Sequence, residues 1–404
     1  VSGARLVRTL AVAGVIALTV AGCGGGSGTG DSGNTGTSGQ AAPGKPGDAA
    51  DPRGDGNAKC SNVSLAYIGT INGGNAALGQ AILNGAKLAV KQHNAANAGC
   101  QVTLKEFDSE GSPDKAPGVV TQAITDNSII GVLGLPFSGE SKAVGATFNE
   151  AGLVTISPSA TNPGLTKNGW KTFFRALGND AVQGPGVAKF LTDELKASKV
   201  CIVRDDSEYG TGLADQVKTA LGSKVSCEQQ IKTNQREFSA TASALKSASP
   251  DAIFFAGYYA EGGPLASKLF DEGVMPNAKF VAPDGTKDDE FVKGGADGAE
   301  GAYLTCPCVP ADAFTEFSTA YKELSGREPS TYSAEGYDAT TILLKGIDKG
   351  LKDRAGMLDF VRNYEGQGLT KKFKWDATGE LTDTPVWTYK VEGGKIVKNK
   401  AIPK

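Results

Sequence analysis

An α/β fold of two doubly wound parallel-sheet lobes joined by a hinge is predicted for this 404-residue chain. Three observations predict it. From residue 63 onward, short β-branched or apolar runs alternate with longer amphipathic runs, the pattern of parallel sheets covered by helices. The alternation occurs in two series, before and after Gly178, each of about 120 residues, an ordinary domain size. The total length also suits two domains or one large two-lobed protein.

The first series opens with a strand over 63–68 (VSLAYI), a Gly/Asn-rich loop and a helix over 77–95. Leu78, Ile82, Ala86 and Leu88/Ala89 recur at spacings of three to four and mark the buried stripe of that helix. Strands follow over 102–107, 129–133 and 153–156, with helices starting near Pro113 and Ser138 between them. In the second series, strands over 200–204 (VCIVR), 225–229, 252–256 and 280–281 alternate with helices over 184–196, 209–221, 238–247 and 263–272, and 303–305 ends it. Helices over 313–324 and 333–352 and strands over 372–375 and 386–391 complete the chain. Residues 60–178 are assigned to lobe 1, 179–305 to lobe 2, 306–385 to a return to lobe 1, and 386–404 to a C-terminal segment of lobe 2.

Ahead of the lobes, residues 1–22 read as an export leader. Arg5 and Arg8 supply its positive start, and 10–20 (LAVAGVIALTV) is an uncharged apolar run. At 1.5 Å per residue that run spans about half of a ~30 Å hydrocarbon core, too short for a membrane helix. The leader ends Val20-Ala21-Gly22-Cys23 and resembles the bacterial lipobox, which implies cleavage before Cys23 and a diacylglycerol on its sulfur; an ordinary secretory leader with an incidental cysteine is the alternative. Residues 24–59 contain 12 glycines in 36 positions and no aromatic or large aliphatic residue, so they cannot bury enough surface to offset ordering. With Cys23 they are expected to form a lipidated tether, 23–59, reaching roughly 30–35 Å from the outer face of a membrane.

The charge balance is 41 Lys+Arg against 44 Asp+Glu, or −3, and −5 once Arg5 and Arg8 are removed with the leader. Nucleic acid, which needs a concentrated positive surface, is not expected as a partner. One histidine, His93, excludes a His-rich metal site, and no cofactor or metal is expected. Beyond Cys23, six cysteines remain, an even number that suggests disulfides in an exported protein. Cys60 and Cys100 precede consecutive strands, and Cys201 and Cys227 sit at two further consecutive strands, which suits two bridges. Cys306-Pro307-Cys308 is read as too tight for an unstrained bridge, and no second cysteine pair accompanies it to make a zinc site.

Open α/β sheets bind ligands outside the carboxyl ends of their strands, and clefts between domains are frequent ligand sites. The strand-end loops are therefore the candidates. One reads Gly134-Leu-Pro-Phe-Ser138-Gly-Glu-Ser141, the next Ser157-Pro-Ser159-Ala160-Thr161-Asn-Pro163. Ser138 and Thr161 beside free N–H groups at helix starts suit a small anion such as a carboxylate. They suit equally well as helix caps worth about 1 kcal/mol each. Pro136-Phe137-Ser138-Gly139 lacks the preceding glycine of a hydrolase elbow, and no nucleophile–base pair is found, so the chain is not expected to be an enzyme. In the second lobe, Tyr209, Tyr258 and Asp284 follow strands and suit a cationic or amphipathic ligand; interface packing and a turn before Gly285 are the plain alternatives. Asp205 and Asp206 read as a solvated acidic loop rather than a metal pair.

Several islands, in order, carry a resemblance: Ile156-Ser-Pro-Ser-Ala-Thr-Asn-Pro-Gly-Leu-Thr166, Phe174-Arg-Ala-Leu-Gly178 with Asp180 and Gln183-Gly-Pro185, Tyr209-Gly-Thr-Gly-Leu-Ala214, Gly257-Tyr-Tyr259, Pro283-Asp-Gly285, and Lys374-Trp-Asp376 with Gly379. From about Val63 to Lys390 the chain resembles the branched-chain amino-acid binding proteins of bacterial ABC importers, of the periplasmic-binding-protein type I fold. The resemblance implies that Ser138 and Thr161 hold a ligand α-carboxylate and that the Ser159 carbonyl accepts from the α-ammonium. It further implies that Ala160 belongs to the site, that Asp284 pairs with the ammonium where the family more usually has glutamate, and that Tyr209, Tyr258 and Tyr332 close over the ligand. Two departures stand out. Leu78 takes the place of a pocket tyrosine, and Phe137 that of a disulfide cysteine. The expected function is capture of a free amino acid by a monomeric, lipid-anchored protein outside the cell membrane, for delivery to ABC permease subunits. The alternatives are an amide, urea or aromatic acid as ligand, or a sensor in place of a transport component.

Overall fold

A computed structural model describes residues 51–402 apart from 276, 382 and 383. The expected leader, Cys23 and the tether up to residue 50 lie outside the described residues.

Strands β1 (Ser64–Gly69), β2 (Thr103–Asp108), β3 (Ile129–Gly134), β4 (Thr155–Ser157) and β5 (Phe173–Arg175) form one sheet in the order β2-β1-β3-β4-β5, all neighbours parallel. Helices α1 (Ala76–Ala96), α2 (Ala116–Thr125) and α3 (Ser138–Glu150) connect them. β1 and β3 are buried along their whole length, and their near-continuous apolar sequences SLAYIG and IIGVLG are what a strand covered on both faces requires. Edge strand β2 (TLKEFD) carries the charges of an edge and is only partly covered.

The chain then crosses to α4 (Asp180–Lys189) and the second series: β6 (Val200–Arg204), α5 (Glu208–Leu221), β7 (Val225–Gln230), α6 (Ser239–Ala248), β8 (Ala252–Ala256), α7 (Tyr259–Asp271), β9 (Lys279–Ala282), α8 (Asp289–Gly295) and β10 (Tyr303–Cys306). Helices α9 (Thr315–Ser325), α10 (Ser333–Asp348) and α11 (Arg354–Arg362) and the hairpin β11 (Glu365–Gln367)–β12 (Lys372–Lys374) return to the first sheet. The return packs tightly: a Cβ on Gly85 of α1 would lie 2.1 Å from the Ser333 carbonyl oxygen of α10. Finally β13 (Val386–Glu392) and β14 (Lys395–Ile402) add to the second sheet, in the order β14-β13-β10-β9-β8-β6-β7. These last two pair antiparallel, so the second sheet is mainly rather than wholly parallel. Three chain segments meet where the lobes join, since a Cβ on Gly178 would stand 2.6 Å from the Thr384 hydroxyl and 3.2 Å from the Pro307 ring.

Several expectations need correction. The helix expected over 333–352 ends at Asp348, ahead of Gly350, whose φ of +85° is a left-handed conformation that only glycine enters without penalty, and α11 beyond it has no counterpart in the sequence reading. The helix expected at 184 begins at Asp180, because Asn179 caps it by accepting from the Ala181 N–H at 2.9 Å. β5, β11 and β14 were not foreseen; the first two have three residues each, and β14 (KIVKNKAI) is too rich in lysine to show a strand pattern. Residues 51–59, assigned to the tether, are in fact held. Ala58 is buried and its N–H donates to Asn97 Oδ1 at 3.1 Å, while Asn97 Nδ2 donates to the Arg53 carbonyl at 2.9 Å.

Disulfides join Cys60 to Cys100 and Cys201 to Cys227, the latter facing each other in register across β6 and β7. Cys306 and Cys308 are also bridged, against the sequence argument from spacing. The intervening proline leaves their Cα atoms 5.0 Å apart, inside the ordinary range for a disulfide.

Candidate functional site

The carboxyl ends of both sheets face a shared cleft, built on the lobe-1 side by the loops after β3 and β4. Gly134 is required there: its φ is +131° and a Cβ would fall 2.1 Å from the Ile68 carbonyl oxygen. The two loops are stitched together by hydroxyls. Ser157 Oγ donates to the Leu135 carbonyl at 2.7 Å, Ser159 Oγ to the Pro136 carbonyl at 2.8 Å, and the Asn162 N–H donates to Ser138 Oγ at 3.2 Å. Glu140, one turn into α3, accepts from the Phe137 N–H at 3.3 Å and from the Ser109 hydroxyl. Burial pushes its carboxyl up to about 7 against these two bonds. Arg175 of β5, fully buried, braces the second loop by donating to the Ala160 carbonyl and to the Asn162 carbonyl at 3.1 Å, and is itself paired with Glu380 at 2.9 Å.

The lobe-2 side is built around Asp284, in the turn after β9. Tyr209, in the first turn of α5, donates to Asp284 Oδ1 at 2.6 Å, and Gln183 Nε2 donates to the same oxygen at 2.7 Å. Tyr332, at the start of α10 with φ +67°, comes from the returning segment and donates to Asp284 Oδ2. Burial raises the Asp284 carboxyl above the usual range, while these three donors favour its anion. Phe137 and Tyr258 meet across the cleft with ring centroids 4.7 Å apart, and the Ala77 N–H donates to Tyr259 Oη at 3.1 Å.

Ser138, Ser159, Tyr209, Tyr258, Asp284 and Tyr332, all singled out from sequence, therefore border one cavity, whose remaining wall is Pro136 and Phe137. Its volume is about 10 Å³, room for one water. Ala160 and Thr161 do not border it. The Ala160 carbonyl is turned to Arg175, and the Thr161 hydroxyl faces Asp180. Sequence reasoning placed neither Gln183 nor Asp180 in the site. An N-cap recognised at Asn179 would have put both on one face of the first turn of α4. A far larger depression of about 750 Å³, bordered by Gly54, Lys345 and Phe360, brings together none of the strand-end residues; size alone does not mark the site. Among the described residues, no group of three or more His, Cys, Asp or Glu is placed to hold a metal ion, and no helix is long and apolar enough to cross a membrane.

Two parallel-sheet lobes with polar groups from both converging on the cleft define a two-lobed binding protein. Residues 62–395 match the periplasmic binding protein family, and the chain belongs to it. As a member it is a binding protein and not an enzyme. It is 30% identical over 347 residues to the Leu/Ile/Val-binding protein BraC3 of Rhizobium johnstonii, covering 83% of this chain and 94% of the relative. Among solved structures it is similar to the branched-chain amino acid transporter substrate-binding protein LivJ of Streptococcus pneumoniae in complex with isoleucine. That match has a TM-score of 0.79 and 27% identity, over 85% of this chain and 99% of the other. It is also similar to the leucine-binding protein LivK of Thermotoga maritima, with a TM-score of 0.76 and 26% identity, over 84% and 98%.

Proposed function

We propose that this protein captures a free amino acid, branched-chain or similar, outside the cell membrane and delivers it to the permease subunits of an ABC importer, held at the membrane by a lipid on Cys23. One observation carries the ligand class: a buried carboxylate, Asp284, stands across a cleft from the Ser138 hydroxyl at the start of α3. A carboxylate accepts at about four lone-pair positions. Three on Asp284 are taken, two on Oδ1 and one on Oδ2, so one remains for a ligand ammonium. The opposite end, a helix start with hydroxyls, suits the ligand carboxylate. The names of the relatives, Leu/Ile/Val-binding and leucine-binding, agree with this reading.

A cavity of about 10 Å³ cannot take an amino acid, so the lobes must part at the crossing near Gly178 to admit one. In this reading the ligand docks first on Ser138 and the Ser159 carbonyl. Tyr209, Tyr258 and Asp284 then close on it, with Tyr332 at the hinge side, and because a ligand favours only the state it contacts better, these residues control closure. A thermal-shift screen over the twenty amino acids, benzoate, urea and small amides tests it. A branched-chain amino acid at a hundred times its dissociation constant stabilises by about 2.7 kcal/mol. A response to benzoate or urea alone refutes the amino-acid reading.

A further inference from the structure

At the α4 end of the cleft there are more buried acceptors than donors. Asp180 and Gln183 stand three residues apart in the first turn of α4, so their side chains share a face. Asp180 is fully buried and neither carboxyl oxygen has a hydrogen-bond partner. Gln183 Oε1 is likewise without a partner, and the Thr161 hydroxyl, which faces Asp180, is the one side-chain donor beside that carboxyl. The Gln183 amide nitrogen is spent on Asp284 and on Thr305 Oγ1, at 2.7 and 3.2 Å, so it offers Asp180 nothing.

The charged and titratable groups facing Asp180 come from every element around it. They are Asp284 from the turn after β9, Tyr209 and Tyr258 from the starts of α5 and α7, Arg175 from β5, and Glu380 from the segment after β12. Only Arg175 is positive, and its guanidinium is occupied by Glu380 and by the carbonyls of Ala160 and Asn162. The two carboxyls thus differ: three side-chain donors converge on Asp284, and only the neutral Thr161 hydroxyl faces Asp180. A buried carboxylate with a single neutral donor and no free counter-ion is strongly disfavoured as an anion. Burial first, and then the charge of Asp284, hold Asp180 well above the usual carboxylate range.

We infer that Asp180 carries a proton until an amino acid enters, and that the ligand ammonium replaces that proton, so that each capture releases one proton to solvent. This rests on the amino-acid reading given above. In the exchange the Asp180 O–H bond breaks, its electron pair stays on oxygen, and the proton passes to buffer. The ammonium keeps its three hydrogens and directs them to Asp180, to Asp284 and to the Ser159 carbonyl. Asp180 does not border the closed cavity; on this inference it becomes a ligand-binding residue when the lobes part to admit the amino acid.

Linkage gives the consequence: if one proton leaves on binding, affinity rises about tenfold per pH unit while Asp180 is protonated in the free protein. The test is isothermal titration of the full chain with L-leucine and L-isoleucine, in phosphate and in Tris, between about pH 6 and about pH 8. Buffers of different ionisation enthalpy report the proton count directly. The expected result is close to one proton released, with a dissociation constant that falls about tenfold per pH unit. Asp180→Asn, which mimics the protonated acid, is expected to release none and to bind with no pH dependence. Binding by the unaltered chain with no proton released overturns the inference, and that arm needs no variant to fold. Undiminished release from Asp180→Asn overturns it as well. Absence of binding by every free amino acid is a separate outcome, which refutes the functional reading and this inference with it.

Discussion

Replacing Glu140 with glutamine gives a stability change whose dependence on pH follows from the geometry. Glu140 is fully buried at the start of α3 and accepts from the Phe137 N–H and the Ser109 hydroxyl, so it holds the loop that presents Ser138. Its carboxyl is raised from 4.5 to about 7, chiefly by burial. The folded state therefore binds more protons than the unfolded state between those values, and stability falls as pH rises through the window. At about 1.4 kcal/mol per pK unit, the loss between pH 5 and pH 8 is roughly 2–3 kcal/mol. Glutamine is neutral throughout and does not share this loss, though it presents only one acceptor and gives up a hydrogen bond worth about 1 kcal/mol. Glu140→Gln should accordingly be neutral to slightly destabilising at pH 5 and stabilising at pH 8. Urea denaturation of both chains at the two pH values measures it. Asp205, Asp288 and Asp338 are also raised by burial and tilt both curves alike, so the difference between the chains isolates Glu140. An equal difference at pH 5 and pH 8 would show that Glu140 is ionised in the folded protein and would refute the reasoning.

Three further outcomes are expected. Tyr332→Phe removes the donor that Asp284 draws from the returning segment, a charge-assisted bond of about 1.5–3 kcal/mol; leucine affinity measured by calorimetry should fall at least tenfold, and an unchanged value would deny Tyr332 a part in closure. Arg175→Met strands Glu380 without its buried partner, at a cost of about 3–5 kcal/mol in chemical denaturation; a cost under 1 kcal/mol would mean that the pair does not brace the 160–162 loop. Cys60→Ser with Cys100→Ser opens a link between residues 40 apart, worth about 4 kcal/mol on the chain-entropy account; protease sensitivity near residues 51–60 should rise with the loss, and an unaltered cleavage pattern would contradict the role of this bridge in fixing that stretch.

The sequence by itself determined the α/β alternation, since a strand covered on both faces must be apolar along its length and an amphipathic helix must repeat every three to four residues. It also led to the strand-end residues, because parallel sheets place ligand loops at carboxyl ends. Ser138, Ser159, Tyr209, Tyr258, Asp284 and Tyr332, spread over almost two hundred positions, do border one cavity. The ordered islands of residues pointed to the family that the match over residues 62–395 shows. What the sequence did not disclose is set by long-range contacts. The lysine-rich β14 is a strand only because β13 offers it an edge. Residues 51–59 lack apolar bulk yet are ordered by Asn97, a partner some forty positions away. The 306–308 bridge depended on the turn that its proline permits. Above all, only the tertiary structure could separate Asp284 from Asp180. Both are aspartates near helix or turn starts, and nothing local distinguishes them. Three side-chain donors converge on Asp284 and only the Thr161 hydroxyl faces Asp180, a difference set wholly by long-range contacts.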